Sequence, residues 1–375
     1  MQDNRPSTEL GEAEAKVYSA IKVRLSVGGI ALNFLLLALF AFTPLSRLIV
    51  NEIEFRFADP YAQFGLFVCA AGLIFSIFDL LLDFYDGYYI EHLFRLSNQT
   101  LLRWGIERAK SALIGAVIGV PLLFLFFFLI RSLGGSWWWV FATAVFALSV
   151  ILARVAPAVI FPLFYKFTPL GEGEVHDRIS ALLKREGVSF RGIFTFNMSK
   201  NTKKANAALA GFGGSRRIIL SDTLLKAFSP AEIEVIFAHE LGHFRRKHIL
   251  KNIVLSGVII FLSFFLCGLF YEKTLFSLGY IQLADIAALP ALLLYLSVFS
   301  FLMMPAMNAV SRAFEREADR FALEKTGMAA EFISAMEKLA AQNLADKEPR
   351  PVVEFFLHSH PSLSKRIAAA ERFGV

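Results

Sequence analysis

Two histidines separated by one helical turn stand near the middle of the chain, with a glutamate directly after the first. The stretch His239–His243 reads His-Glu-Leu-Gly-His. Residues four apart lie on one face of an α-helix, so both imidazoles could reach one metal ion. A glutamate at this position can accept a proton from water beside that ion. The spacing predicts His239 and His243 as metal ligands and Glu240 as a catalytic base. A helix that carries two surface histidines by chance is the alternative.

The residues around this motif specify a helix. Ser229–Glu232 supplies a serine N-cap, a proline at the first helical position and a glutamate at the third, which together form a capping box. A buried stripe follows at helical spacing: Ile233, Ile236 and Phe237. Gly242 costs a helix about 1 kcal/mol relative to alanine, but it leaves room for a close neighbour beside the metal. The basic run Arg245–His248 predicts that this helix is not buried in lipid.

A catalytic zinc takes three protein ligands and keeps one position open for water, so a third ligand must lie elsewhere. The helical stretch Ser311–Asp319 offers three carboxylates: Glu315, Glu317 and Asp319. Glu315 and Asp319 are four residues apart, so one could bind the metal while the other orients a ligating histidine. Spacing alone does not choose among the three. A charged helix surface with local ion pairs to neighbouring arginines is the alternative.

The composition places these polar motifs in a membrane protein. The chain is 56% hydrophobic, contains 40 phenylalanines and has a mean hydropathy of +0.56. Apolar runs of nearly spanning length occur at about 25–43, 62–82, 111–130, 137–160, 252–271 and 287–307. We therefore predict a mainly α, polytopic membrane fold with about six transmembrane helices.

The apolar runs divide the chain into four segments. They are a four-span membrane region (1–164), a polar segment (165–251), a two-span hairpin (252–310) and a polar C-terminal segment (311–375). Neither polar segment alone supplies an ample core, so we expect the two to pack together as one α+β catalytic domain. The hairpin returns the chain to the same side of the membrane, which lets Glu315 meet His243.

Lysine and arginine predict the orientation of the chain. Residues 1–24 and 83–110 carry four each, whereas the first, third and fifth loops between spans carry two, one and one. The positive-inside rule then places both termini and the catalytic segments on the cytoplasmic side, of a bacterial inner membrane or an ER membrane. The net charge of +6 mostly reflects this excess, and no aromatic–basic pattern indicates nucleic acid. The expected partners are the lipid bilayer and a peptide or protein substrate.

The first polar segment opens with a helical pattern at Val175–Glu186 and continues with strand-like runs at Gly192–Phe196 and Arg217–Leu220. A further short run, 205–209, lies between those two. An extended peptide can bind by adding a strand to an exposed sheet edge. Asn206 and Ala207 are the predicted substrate-binding residues at such an edge, and an ordinary structural strand is the alternative.

With these residues in hand, the chain resembles the integral-membrane gluzincin family, which includes the type I CaaX prenyl endopeptidases and the HtpX-like membrane proteases. Besides His239–His243, the resemblance rests on an Asn-Ala-x-x-x-Gly strand, the strand and turn after it, a Glu-x-x-Ala-Asp stretch and a His-Pro-x-x-x-x-Arg signature: Asn206–Gly211, Arg217–Leu225, Glu315–Asp319 and His360–Arg366. In the N-terminal half, two stretches resemble the prenyl-endopeptidase branch in particular: Phe94–Thr100 and Pro162–Leu170.

The resemblance implies a gluzincin-type zinc metalloprotease that removes the C-terminal tripeptide from prenylated proteins. It implies one Zn²⁺ per chain and makes Glu315 the third ligand beside His239 and His243. His360 and Arg366 would approach the active site, where either could stabilise the developing oxyanion. Asp319 would orient a zinc-bound histidine.

Two other functions stay open at this point. An HtpX-like quality-control protease would cleave misfolded membrane proteins without any need for a prenyl group. An inactive homologue would act as a binding or chaperone-like membrane protein, although every required ligand and the base are present. Dependence of cleavage on the lipid group separates the first alternative from a CaaX protease.

Overall fold

The computed structural model describes residues 7–210 and 217–374. The membrane part is helical, in the order α1 (Ser7–Phe42), α2 (Leu45–Arg56), α3 (Pro60–Asp83), α4 (Glu91–Leu93), α5 (Leu101–Leu133), α6 (Trp137–Val155) and α7 (Phe161–Phe164). Two π-helical stretches, Phe84–Ile90 and Ala156–Ile160, continue α3 and α6.

Within the described residues, five helical segments are long and apolar enough to cross a membrane: Gly11–Phe42, Pro60–Leu93, Leu101–Phe164, His248–Leu278 and Ile286–Thr326. The third segment holds two of the six predicted runs, because a 3₁₀ turn at Gly134–Ser136 reverses the chain between α5 and α6. The ring centroids of Phe126 and Phe141 are 5.2 Å apart, whereas one continuous helix would separate these residues by about 22 Å. The six predicted runs therefore lie on five segments, one of which is a helical hairpin.

The remaining elements are β1 (Phe167–Pro169), α8 (Glu174–Arg185), β2 (Ile193–Phe196), β3 (Ala207–Ala210), β4 (Arg217–Ser221), α9 (Asp222–Ala227), α10 (Pro230–Arg245), α11 (His248–Leu275), α12 (Leu289–Thr326), α13 (Ala329–Asn343), α14 (Pro351–Leu357) and α15 (Leu363–Phe373). The helix predicted near residues 175–186 and the strands predicted near 192–196 and 217–220 are confirmed, with ends that shift by one residue. The sheet order is β1-β2-β4-β3, with β2 and β4 parallel and the outer pairs antiparallel. Gly211 of the predicted Asn-Ala-x-x-x-Gly stretch lies outside the described residues.

Two large hydrophobic cores lie within the described residues, beside a small third cluster of Tyr18, Ile90 and Leu96. The membrane core is rich in fully buried aromatic side chains, and the stacked rings of Phe64 and Phe127 lie at its centre with their centroids 4.3 Å apart. The second core combines Ile233 and Phe237 of α10 with Phe332 and Ala335 of α13. The two polar segments therefore share one core, as expected from their lengths.

The crossing of α10 and α12 is unusually close. The predicted capping box starts α10: Glu232 N donates to Ser229 Oγ, and Ser229 N donates to the Glu232 carboxylate. Farther along, a methyl group at Gly242 would lie 3.0 Å from Ala318 Cα and 3.2 Å from Phe321 Cβ. Glycine at this position lets α12 approach α10 closely enough for side chains of both helices to meet in one cluster.

Candidate metal centre and active site

Three side chains from α10 and α12 form a cluster that could hold a metal ion. The Nε2 atoms of His239 and His243 are 3.1 Å apart, and each lies 3.3 Å from an oxygen of Glu315. A tetrahedral ion with bonds of about 2.0–2.2 Å would hold neighbouring ligand atoms about 3.3–3.6 Å apart. The three side chains therefore have the spacing that one such ion requires.

The state of Glu315 also fits a metal site. Its Oε2 atom is buried and accepts no hydrogen bond within the described part of the chain, although His239 Nε2 lies 3.3 Å away. A buried carboxylate oxygen without a hydrogen bond is costly, so a cation at this point would relieve that cost. Asp319 contacts Nδ1 of His239, the ring nitrogen on the far side from the cluster, and Glu317 contacts His248. The geometry therefore favours Glu315 among the three carboxylates that spacing left open.

His239 has a carboxylate directly behind it. Its Nδ1 atom lies 2.8 Å from Asp319 Oδ1, and Arg366 donates two hydrogen bonds to Asp319, of 2.8 and 2.6 Å. Burial lowers the pKa of His239, but the contacts with Asp319 and Glu315 outweigh burial and raise it to about 9. A metal ion at Nε2 would compete with a proton for that nitrogen.

Glu240 follows His239 on α10 and has an environment suited to accepting protons. Burial raises the pKa of Glu240, and the nearby His239 and His243 only partly counter this effect. A carboxylate with a raised pKa is a stronger base, which is what proton abstraction from water requires. No hydrogen bond ties this side chain to another described residue, so it is available for substrate or water.

His360 comes to the cluster from the loop between α14 and α15. Its Nε2 atom lies 3.4 Å from Glu315 Oε1, and 61% of its side chain is exposed. Arg366 Nη2 lies 4.0 Å from Glu315 Oε2 but uses its hydrogen bonds on Asp319. Both residues of the His-Pro-x-x-x-x-Arg signature are therefore near the cluster, with His360 at its accessible side.

The loop that carries His360 is held by two residues that no sequence motif indicates. Buried Arg312 donates to the backbone carbonyls of Glu354 and His358, at 2.9 and 2.7 Å. Asn308 donates to the carbonyl of Phe356 at 2.6 Å. Arg312 is one of the arginines of the charged helix surface that the sequence offers as the alternative interpretation of this stretch, and no local pattern distinguishes a buried arginine from an exposed one.

The predicted substrate-binding residues lie at a sheet edge next to α10. Ala207 begins β3 and pairs with Leu220 of β4, while the Asn206 carbonyl accepts a hydrogen bond from Ser221 N at 3.0 Å. β3 is one of the two edge strands, and within the described residues no further strand pairs with its other side. The position is suited to strand addition.

His248 is a third residue that no sequence motif indicates, since it lies within a basic run. Its Nδ1 atom lies 2.9 Å from Nδ1 of His243, and its Nε2 atom lies 3.1 Å from Glu317 Oε2. The side chain of His248 is almost completely buried.

Known proteins resemble both halves of this chain. Residues 169–373 match the family described as "Peptidase family M48", and residues 12–166 match "CAAX prenyl protease N-terminal, five membrane helices". The chain is 30% identical to "Uncharacterized metalloprotease YhfN" of Bacillus subtilis, over 96% of this chain and 85% of the relative. It is 28% identical to "CAAX prenyl protease 1" of Saccharomyces cerevisiae, over 86% and 75%. The crystal structure of S. mikatae Ste24p aligns with a TM-score of 0.85 and 25% identity, over 99% of this chain and 90% of that one.

Proposed function

This chain belongs to peptidase family M48 and is a multi-pass membrane metalloprotease, and from that premise we propose that its metal is zinc and its substrates are prenylated proteins. The resemblance inferred from the motifs is confirmed by the family matches. In this proposal the enzyme removes the C-terminal tripeptide of a CaaX sequence. Relatives named CAAX prenyl protease 1 support the substrate class. The His239, His243 and Glu315 cluster is the observation that carries the chemistry.

We propose one Zn²⁺ per chain, held by His239, His243 and Glu315. Two imidazoles and a carboxylate are a donor set that suits zinc and leaves a fourth position open. Zinc bound there would act as a Lewis acid and lower the pKa of coordinated water from 15.7 to about 7. The described chain provides the nitrogen and oxygen ligands at compatible spacing.

Glu240 is the proposed general base. It takes the proton from the attacking water and delivers it to the leaving amine of the cleaved peptide bond. Its burial supports this role, since a carboxylate that is poorly hydrated holds a proton more readily. His360, exposed beside Glu315, is the proposed donor to the developing oxyanion, an interaction worth about 3–4 kcal/mol in comparable sites. Arg366 is better placed to hold Asp319, which in turn orients His239.

The substrate backbone is proposed to bind along Asn206 and Ala207. An extended peptide laid on the free side of β3 would continue the sheet and pass close to α10. This arrangement presents successive peptide carbonyls at a regular spacing, which lets one of them reach the cluster.

For orientation, we propose that both termini and the catalytic segments face the cytoplasm, in a bacterial inner membrane or an ER membrane. Support comes from the lysine and arginine excess of residues 1–24 and 83–110. The substitution Glu348→Cys, in a chain with Cys69→Ser and Cys267→Ser, should react with an impermeant maleimide only from the cytoplasmic side.

We also propose the division of the chain into four segments: 1–164, 165–251, 252–310 and 311–375.

The decisive experiment is mass spectrometry of products from a farnesylated CaaX peptide and from its unprenylated twin. Each is incubated with purified, zinc-loaded protein, and the Glu240→Gln variant serves as the control for contaminating protease. Cleavage of only the lipidated peptide, directly after the cysteine, is the expected result. Cleavage of both peptides or at scattered bonds would favour the quality-control function. Failure to cleave any peptide or membrane protein would favour an inactive homologue.

A further inference from the structure

His243 differs from His239 in what lies behind its ring. Among the described residues no carboxylate contacts its Nδ1 atom, which lies 2.9 Å from Nδ1 of His248. The opposite nitrogen of His248 lies 3.1 Å from Glu317 Oε2. His243, His248 and Glu317 therefore form a continuous chain of polar contacts that ends on a carboxylate.

The protons in this chain can be assigned by counting donors and acceptors. His243 presents Nε2 to the cluster, and a metal-binding nitrogen carries no hydrogen, so the hydrogen of a neutral His243 ring is on Nδ1. His248 must then accept at its own Nδ1 and carry its hydrogen on Nε2. That hydrogen points to Glu317, which is an acceptor when ionised. Every contact is satisfied in one direction.

We propose that His248 and Glu317 are positioning residues that fix the tautomer and ring orientation of His243 for metal binding. The inference rests on the proposed metal site and adds two residues to it. His248 lies outside both motifs, and Glu317 occupies one of the variable positions of the Glu-x-x-Ala-Asp stretch. His248 has the same function for His243 that Asp319 has for His239, but it reaches its carboxylate through one more ring.

The position of His248 depends on two local features. Lys247 has a left-handed backbone, with φ of +56°, which ends α10 and returns the chain so that α11 starts against it. The His248 ring then stacks on Phe314 of α12, with centroids 4.3 Å apart and planes 10° from parallel. The His248 ring is thus held by stacking on Phe314 and by polar contacts with Glu317 and His243. The experiment must therefore separate the effect of stacking from that of hydrogen bonding.

Zinc affinity of the purified full-length protein, measured by competition with a chelator, is the test. His248→Phe keeps an aromatic ring on Phe314 but removes both nitrogens, so we expect affinity to fall about 10–100-fold, as for other partners of metal-bound histidines. His248→Asn should recover part of this loss, because its side-chain oxygen can accept from His243 where Nδ1 did. Glu317→Gln should weaken affinity less than His248→Phe. Glu324→Gln, exposed on the same helix, should change nothing.

A cobalt-substituted sample provides a readout that packing alone would not change. The visible spectrum of bound Co²⁺ should shift in His248→Phe and move back toward the wild type in His248→Asn. Wild-type zinc affinity in both His248→Phe and Glu317→Gln would overturn the proposal. If His248→Phe does not fold, Glu317→Gln decides, since 45% of its side chain is exposed. A wild-type protein that binds no zinc would instead refute the proposed metal site itself.

Discussion

The two sides of the metal cluster perform one task in different surroundings. Behind His239, Asp319 and Arg366 form a buried ion pair with two hydrogen bonds. Behind His243, the carboxylate belongs to Glu317, which is about half exposed and has Lys251 3.6 Å away. A buried pair is rigid, but loss of one partner leaves an uncompensated charge. An exposed pair is screened by water and contributes little to stability. His239 and His243 are therefore oriented in similar ways, but removal of a supporting partner should destabilise the protein far more on the His239 side than on the His243 side.

The largest expected loss of activity comes from Glu240, which lies behind neither His239 nor His243. Glu240→Gln removes the base but no support of either histidine, so turnover should fall about 10²–10⁴-fold while zinc content stays at the wild-type level. Peptide cleavage and metal analysis of the same sample measure the two quantities. Loss of zinc together with activity would mean that Glu240 also supports the metal ligands, in addition to the groups behind His239 and His243.

The comparison is tested most directly by removing the cation from each side. Arg366→Leu leaves Asp319 buried without its partner and should destabilise the protein by about 3–5 kcal/mol. Lys251→Leu, the matched change behind Glu317, should cost at most about 1 kcal/mol. Hydrogen exchange of the backbone amides of α10 and α12, followed as denaturant is added to the full-length protein, measures both losses of unfolding free energy. Equal losses would show that the two sides do not differ as described.

A change at the helix crossing should affect both sides together. Gly242→Ala places a methyl group 3.0 Å from the α12 backbone, and such overpacking costs about 1–3 kcal/mol. Zinc affinity should fall as Glu315 moves away from both histidines. Gly115→Ala in α5, where the added methyl meets nothing within 4 Å beyond the neighbouring residues and backbone of its own helix, is the control and should be neutral or slightly stabilising. Unchanged zinc affinity in Gly242→Ala would mean that the crossing tolerates expansion.

The smallest effect lies at the start of α10, upstream of both histidines. Burial raises the pKa of Glu232, but hydrogen bonds from Lys338, Ser334 and the Ser229 backbone outweigh it and hold the pKa below its ordinary 4.5. The Glu232–Lys338 ion pair therefore stabilises the fold above about pH 4.5, and this stabilisation is lost as the pH falls through the pKa of Glu232 in the folded protein. Lys338→Met should cost up to about 1 kcal/mol near neutral pH and progressively less in acid. A stability difference from wild type that grows in acid would contradict this sign.

Much of the site follows from local sequence, and the rest depends on how helices are rotated and broken. The histidine pair and the capping box follow from spacing within one helix, whereas the need for a glycine at Gly242 comes from the close approach of α12. The preference for Glu315 over Glu317 depends on how α12 is rotated against α10, which periodicity does not fix. On an uninterrupted helix, His248 would lie about 140° around the axis from His243. The left-handed Lys247 removes that separation, so no helical pattern reveals the contact.

The membrane spans show what hydropathy can and cannot predict. The six apolar runs were predictable, including the two on either side of Gly134–Ser136, but hydropathy does not reveal which spans pack against one another. The edge position of β3 is likewise a property of the whole sheet. Its four residues and their neighbours specify a strand, while strand order is set by chain crossovers far from it.

One helix, α12, belongs to the membrane core at Leu289 and to the metal cluster at Glu315, and it is 38 residues long. The stretch between those residues is about 39 Å, so each degree of tilt at the membrane end displaces the other end by about 0.7 Å. Spanning helices change tilt when the hydrocarbon thickness changes, and active sites tolerate displacements of only about 0.5 Å. We therefore expect a tilt of α12 in the membrane to reach Glu315 through the segment that contains Pro305, and peptidase activity to depend on acyl-chain length.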